Sequence, residues 1–430
     1  MNNIVVPNRT DAVGVYDPIR ALRLVFAATI LTFLLASFTP FVLEYETDVQ
    51  GNIVNQIGYS ALALVAIVGH LLFTDRAVAL SLLRPVWLLT IALLAFSVLQ
   101  SESPGAAIRA ILFTLTAMLA MTGALSLPPS IRDFRLALAI AALVVLGLSY
   151  LGLIAYPGLA IHGSDGLEPQ HAGLWRGIYS HKNVAGPIMA MLFFAGLYLM
   201  RCGERWTGLV IALLAAIFIY KTGSKTTLAL VPLVALFVTG GRIFGGRLLP
   251  ITVLFLAILV TALLTLGAAI SPALDIVLQA VLPGTTFTGR LDLWRFTLDL
   301  MGHHQWTGFG FETFWNTSVV YKAEAPFELS WDPRLIVNAH NGYLDIAIWG
   351  GWPTLAVAAL MLVLLPFKDY LTTQPAVENR RLADFLLMIL AFALLNSFFE
   401  SYFFSRGNPI WLMTWLAIVG LWLSSRFRLE

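Results

Sequence analysis

The sequence predicts an all-α polytopic membrane protein of about twelve transmembrane helices with one long exported loop. Three observations predict it: 59% of the 430 residues are hydrophobic, only 12% are charged, and the apolar residues fall in continuous runs rather than alternating. Mean hydropathy is +0.82, well above the range of water-soluble domains. Lipid offers no hydrogen-bond partner to a bare backbone, so a spanning segment is either a helix or a strand of a closed barrel, and unbroken runs exclude the barrel. The net charge of +2 is small and scattered, which argues against a nucleic-acid surface. Cys202 is the single cysteine, so there is no disulfide framework and no Cys-based metal cluster.

Taken in order, the apolar runs lie near 21–43, 57–74, 85–100, 107–127, 136–160, 184–200, 206–220, 226–240, 248–270, 341–366, 382–403 and 409–425. Several fall short of the roughly 20 residues a bilayer needs, and 85–100 is the weakest of them. Residues 1–20 read as a cytoplasmic tail without the apolar run of a cleavable signal, and residues 21–430 as a single transmembrane domain whose major periplasmic loop is 271–340. Lysine and arginine avoid short exported loops, and with both termini inside every inner loop carries at least two bases, while the loop from Glu44 to Gln56 carries none. Ten bases break this pattern: Arg109, Arg176, Lys182, Lys221, Lys225, Arg290, Arg295, Lys322, Arg334 and Arg406. Attraction to an anionic, membrane-associated ligand on the outer face is the simplest reason for most of them; Lys322 and Arg334 read as solvated loop charges.

The long loop is the functional candidate, because loops of this length without a role are uncommon. After Thr288-Gly289-Arg290, the residues Leu291, Trp294, Leu298 and Met301 repeat at helical spacing, predicting an amphipathic helix on the outer surface with Thr288 as its cap. Arg290 then sits in the first turn, where the helix dipole disfavours a cation unless a phosphate joins it; the plain alternative is a salt bridge to Asp292 or Glu312. The string Asn338-Ala339-His340-Asn341-Gly342-Tyr343-Leu344-Asp345 leads into the next apolar run, with Asn341 and Asp345 on one face and His340 at its mouth. Histidine, with an ordinary pKa of about 6.5, can take a proton at neutral pH; alone it is more often a hydrogen-bonded structural residue.

Two further outer clusters are Trp175-Arg176-Gly177-Ile178-Tyr179-Ser180-His181-Lys182-Asn183, where Ser180 or Asn183 could cap a helix shaped by Gly186 and Pro187, and Lys221-Thr222-Gly223-Ser224-Lys225-Thr226-Thr227. The latter lacks the leading glycine and the strand of a P-loop and reads as a hydroxyl- and ammonium-rich turn able to hold phosphate oxygens, or as an ordinary polar hairpin. Gly308-Phe309-Gly310 is too short for a dinucleotide fingerprint. Glu400, with Ser401 near the outer end of the eleventh run, reads as an ion-pair partner of Arg406 or Lys225. No His, Asp and Glu set has metal-ligand spacing, so no metal and no cofactor is expected.

The order of these pieces, from Gly177-Ile178-Tyr179-Ser180-His181-Lys182-Asn183 with Gly186, through Gly223-Ser224-Lys225-Thr226, Thr288-Gly289-Arg290 with Trp294 and Gly308-Phe309-Gly310, to Asn338-Ala339-His340-Asn341-Gly342-Tyr343-Leu344, resembles the O-antigen ligase and polymerase superfamily of bacterial envelope proteins. The resemblance implies a metal-independent, inverting glycosyltransferase of the large helical membrane (GT-C-like) class in the bacterial inner membrane, taking an undecaprenyl-diphosphate-linked glycan as donor on the periplasmic face. It implies that His340 activates the acceptor hydroxyl and Arg290 holds the donor diphosphate, helped by Lys225, Arg176, His181 and Lys182, with Asn341, Tyr343, Asp345, Asn183 and Glu400 in support. Lys225 stands where many ligases have arginine and loses the bidentate fork. The His181-Lys182-Asn183 string is closer to exopolysaccharide polymerases than to lipopolysaccharide ligases. Implied partners are the lipid-linked donor, a glycan or lipid-linked acceptor, the bilayer, and chain-length and export proteins; no nucleic acid is implied. A ligase acting on lipid A core or protein, a transporter and a scaffold of an export complex are the rival readings; a transporter would place its charges near the membrane midplane.

Overall fold

The computed structural model describes residues 17–42, 53–164, 169–241, 246–323, 332, 334 and 336–429. Most of the expected tail (1–16) and of the loop from Glu44 to Gln56 (43–52) lies outside the described residues. Each of the twelve apolar runs is a helix: α1 (Pro18–Ala36), α2 (Ile53–Phe73), α3 (Pro85–Ser97), α4 (Pro104–Ser126), α5 (Ile131–Ala155), α6 (Lys182–Arg201), α7 (Arg205–Thr222), α8 (Lys225–Gly240) and α9 (Leu248–Ile270), followed, after the loop helices α10 (Pro272–Val281) and α11 (Arg290–Met301), by α12 (Gly342–Leu371), α13 (Val377–Asn396) and α14 (Pro409–Arg426). Among the described residues eight, α1, α2, α4, α5, α6, α7, α9 and α12, are long and apolar enough to cross a membrane; α3 and α8 are shorter. The chain is an all-α polytopic membrane protein.

Local chemistry sets the helix ends. Asp17, Ser130 and Asn408 cap α1, α5 and α14 through their side-chain oxygens, and Pro18 and Pro409 open the first and last of these helices. The eleventh run ends at Asn396, seven residues earlier than the apolar pattern suggests, and residues 397–408 fold as a buried irregular loop rich in Phe398, Tyr402, Phe403 and Phe404. Hydropathy cannot see this boundary, because the loop is as apolar as the helix. α13 and α14 form the centre of the bundle, both almost wholly buried, with α6 and α8 against α13 and α4 against α14. α6 and α7 make a close hairpin because Gly196 and Gly208 face each other: a Cβ on Gly196 would lie 2.6 Å from the Gly208 carbonyl oxygen.

α12 is broken at Gly351, whose φ of 77° no L-residue adopts without strain. The Gly-Phe-Gly string mends the break: Phe309 N–H donates to the Ile348 carbonyl (2.8 Å), Gly310 N–H to that of Trp349 (3.0 Å), and Trp352 N–H to that of Gln305 (2.8 Å). A Cβ on Gly308 would sit 2.4 Å from the Trp349 backbone, so the string lies flat against the unwound turn. Irregular backbone at membrane depth needs such partners. The first turns of α12, before the break, pack into a second, smaller core of Leu278, Leu291, Trp294, Phe314, Ala339 and Ile348 under the long loop.

Candidate functional site

The site forms where the N-terminal ends of α6, α11 and α12 meet the loop 397–408, and its hub is Glu400. Its Oε1 accepts from Arg290 Nη2 (2.8 Å) and Asn183 Nδ2 (3.0 Å), and its Oε2 lies 3.3 Å from His340 Nδ1. Residues 217, 110 and 60 positions away in sequence thus share one carboxylate. Burial alone would push the Glu400 carboxyl up, but the hydrogen bond with His340 and the charge of Arg290 outweigh it and hold the group below the ordinary carboxylate range. An ionised carboxylate can only accept, so Nδ1 of His340 is the donor in this contact, and the neutral tautomer that makes it carries its lone pair on Nε2. The imidazole remains 37% exposed, against 14% for Glu400.

The backbone around His340 is held on every side. His340 itself has φ 48°, stabilised by its N–H donating to Asn338 Oδ1 (2.9 Å). Asn341 caps α12 by accepting from Tyr343 N–H and Leu344 N–H, donates its amide to the Phe398 carbonyl, and its own N–H donates to Ser401 Oγ. Asp345 Oδ1 accepts from Ala339 N–H (3.0 Å), and the Ala339 carbonyl accepts from Trp294 Nε1 (3.0 Å). Tyr343 anchors the helix end by donating to the Leu394 carbonyl. Asn341, Tyr343 and Asp345 therefore position the main chain, while Glu400 orients the ring.

Arg290 begins α11, as the spacing predicts, but Thr288 does not cap it: the left-handed Gly289 occupies that place, and Thr288 has φ 63°. The apolar face of α11 is covered by protein: Leu291, Leu293 and Trp294 are buried in the smaller core, and Phe296 and Met301 are buried as well, while Asp299 on the other face is exposed. The salt bridge of Arg290 goes to Glu400 rather than to Asp292 or Glu312. Glu400 in turn meets Arg290, His340 and Asn183 rather than Arg406 or Lys225, and Arg406 pairs with Glu312. Burial pushes the Glu312 carboxyl up, against the pull of Arg406.

α6 is capped by His181, whose Nδ1 accepts from Asn183 N–H (3.1 Å), rather than by Ser180 or Asn183. This frees the Asn183 side chain for Glu400, while Tyr402 donates to the Asn183 carbonyl. His181 also stacks edge to face with His162 and His171, a grouping for which the sequence offers no spacing signal. The Arg176 guanidinium donates to the carbonyls of Ser180 and Gly158, and Lys182 is buried at the start of α6. In the α7–α8 turn Ser224 and Thr227 bond each other (2.9 Å) and Thr222 bonds the Ile219 carbonyl, all packed against Gly186, while Lys225 is exposed. These hydroxyls serve the turn itself. Among the described residues no group of three or more His, Cys, Asp or Glu is placed to hold a metal ion.

Residues 210–359 match the family model described as O-antigen ligase. No curated protein matches the chain. The matched segment contains Lys225, Arg290 and His340, whereas Asn183 and Glu400, which complete the hub, lie on either side of it. The fold thus completes the hub with residues that lie before and after the matched segment in sequence.

Proposed function

We propose that the protein is a metal-independent, inverting glycosyltransferase of the bacterial inner membrane, both termini cytoplasmic, that polymerises undecaprenyl-diphosphate-linked repeat units into exopolysaccharide or O-antigen on the periplasmic face. The observation that carries this reading is the convergence of His340, Arg290 and Asn183 on Glu400. It supplies a histidine base with its lone pair outward beside a guanidinium suited to diphosphate.

In the proposed step the acceptor hydroxyl oxygen bonds to the anomeric carbon as the bond from that carbon to the diphosphate oxygen breaks. The hydroxyl proton passes to His340 Nε2, and the electron pair leaves with the lipid diphosphate. Arg290, fixed by Glu400, and Lys225, at the start of α8, neutralise the departing charge. Glu400 steadies the imidazolium that results, and the proton is later lost to solvent. One displacement inverts the anomeric centre, and a diphosphate needs no acid to leave. Of the other residues here, Arg176 and Lys182 add positive potential at the α6 entrance, and His181 caps that helix.

The alternative, transfer of a finished glycan to lipid A core or protein, is favoured by the description of the matched family. The test is complementation of a strain lacking the protein with wild type and His340→Ala at matched membrane abundance, with lipid-linked units and polymer both quantified. A polymerase predicts single repeat units stranded on the lipid carrier; a ligase predicts long lipid-linked chains. Wild-type behaviour of His340→Ala would overturn both.

A further inference from the structure

α10 is amphipathic in an inverted sense. Its inward side carries Leu278, fully buried in the smaller core, together with Asp275, which accepts from Arg295 of α11 (2.7 Å), and Gln279, which binds the Gly284 N–H and the Thr285 carbonyl. Its outward side carries Ala273, Ile276, Val277, Ala280 and Val281 at successive helical turns, continued by Leu282, all exposed; Ile276 is 71% and Val281 59% accessible. A stripe of this kind is costly in water and marks an interface. What covers it follows from its neighbour. α10 turns back on the last turn of α9, where Leu274 packs onto Gly267, and only 17% of the apolar window of α9 is buried by protein. The stripe therefore continues a surface that already faces lipid, ending at Ile270, itself exposed.

We propose that α10 is an interfacial anchor: its Ile276, Val277 and Val281 face beds in the outer leaflet, and through the Arg295 to Asp275 ion pair it sets the depth at which Arg290, at the start of the same helix as Arg295, meets a lipid-borne diphosphate. The anchor itself is read from α10 and α9; the purpose of setting depth rests on the glycosyltransferase reading above. A ligand whose phosphates are tethered to an isoprenoid tail lies at a fixed height above the bilayer, so a binding arginine held by a membrane-bedded helix is matched to it without searching.

The test places single nitroxides at 275, 276, 277, 279 and 281 in a Cys202→Ser background of the full chain, in phosphatidylethanolamine and phosphatidylglycerol vesicles. Collision rates with oxygen and with a water-soluble nickel chelate are then measured. The anchor predicts oxygen preference at 276, 277 and 281 and its loss at 275 and 279. Nickel preference along the stripe, or low access to both reagents, which would mean that a protein surface covers it, overturns the proposal. Pro283→Cys should react with an impermeant maleimide added outside intact spheroplasts; reaction only after lysis overturns the outer leaflet while leaving lipid contact standing. With lipid-linked donor in vesicles, Arg295→Gln should raise KM severalfold at unchanged kcat. An unchanged KM overturns the setting of depth, and no transfer by wild type would instead bring down the glycosyltransferase reading while the nitroxide result stands.

Discussion

The bundle has a charged cluster at each end, and the two are built differently. At the end that carries the bases assigned to the cytoplasm, buried and half-buried carboxylates pair with arginines: Arg84 with Asp369 (2.6 Å), Arg201 with Asp384 (2.8 Å), Arg20 with Asp133 (3.2 Å), Arg135 with both Glu204 and Glu378, and Arg381 with Glu378. Five arginines meet five acids, and the first pair is below a tenth exposed on both sides. At the other end one carboxylate, Glu400, serves an arginine, an asparagine and a histidine, and the histidine stays over a third exposed. Arginines and carboxylates matched in number close a cluster and leave nothing for a ligand. Sharing one carboxylate among three donors fixes their orientation while leaving N–H groups and a lone pair directed elsewhere, which is what a site that handles anions and protons requires.

The largest effect expected from breaking the outer cluster is on chemistry. His340→Ala should lower glycan transfer on the order of 10²–10⁴-fold, the usual range for a lost general base, with membrane abundance unchanged. Breaking the inner cluster should do the reverse. Asp369→Ala leaves Arg84 buried and unpaired at a cost of about 3–5 kcal/mol, read as lost thermal stability in detergent, and Arg84→Met with Asp369→Leu should recover most of it. If the double replacement instead abolished transfer at full stability, the inner cluster would have to be counted as functional. Glu400→Gln sharpens the contrast. It keeps the hub's shape but replaces an acceptor-only carboxylate, so His340 loses the partner that fixes its tautomer; transfer should fall roughly 10–100-fold in kcat, as for other supporting partners of this kind. A fall confined to stability would make Glu400 a structural ion pair like those opposite.

Much of this was legible beforehand. Continuous apolar runs gave every long helix, and His340, Arg290, Asn183 and Glu400 stood out because polar residues at the mouth of an apolar run need a reason. Their convergence was not legible, because it depends on the position of the loop 397–408, whose Phe398, Tyr402, Phe403 and Phe404 make it read as helix. Gly308-Phe309-Gly310 was visible as a string but not as the mend in α12, since the break at Gly351 lies about forty residues away and leaves no periodicity of its own. The lipid-facing stripe fell to α10 rather than α11 because Trp294 and its neighbours found a core under the loop, which a helical wheel cannot distinguish from a bilayer.

The smallest expected effect is on acid stability, and its sign separates the two outer carboxylates. Glu400 is held below its unfolded value of about 4.3, so its contribution is fully present above that pH and is lost as pH falls through its folded value. Glu312 is raised by burial, so the folded state favours its proton, and acidification from above its folded value down to about 4.3 adds stability at that position. Wild type should therefore be more thermally stable than Glu400→Gln at pH 6, with the gap closing below about pH 4.3, whereas Glu312→Gln should gain on wild type as pH rises above about 4.3. The paired pH series on purified protein measures this directly. A gap between wild type and Glu400→Gln that persists unchanged to pH 3 would mean that the hub is held by shape rather than by the Glu400 charge, and the inner and outer clusters would then differ in exposure alone.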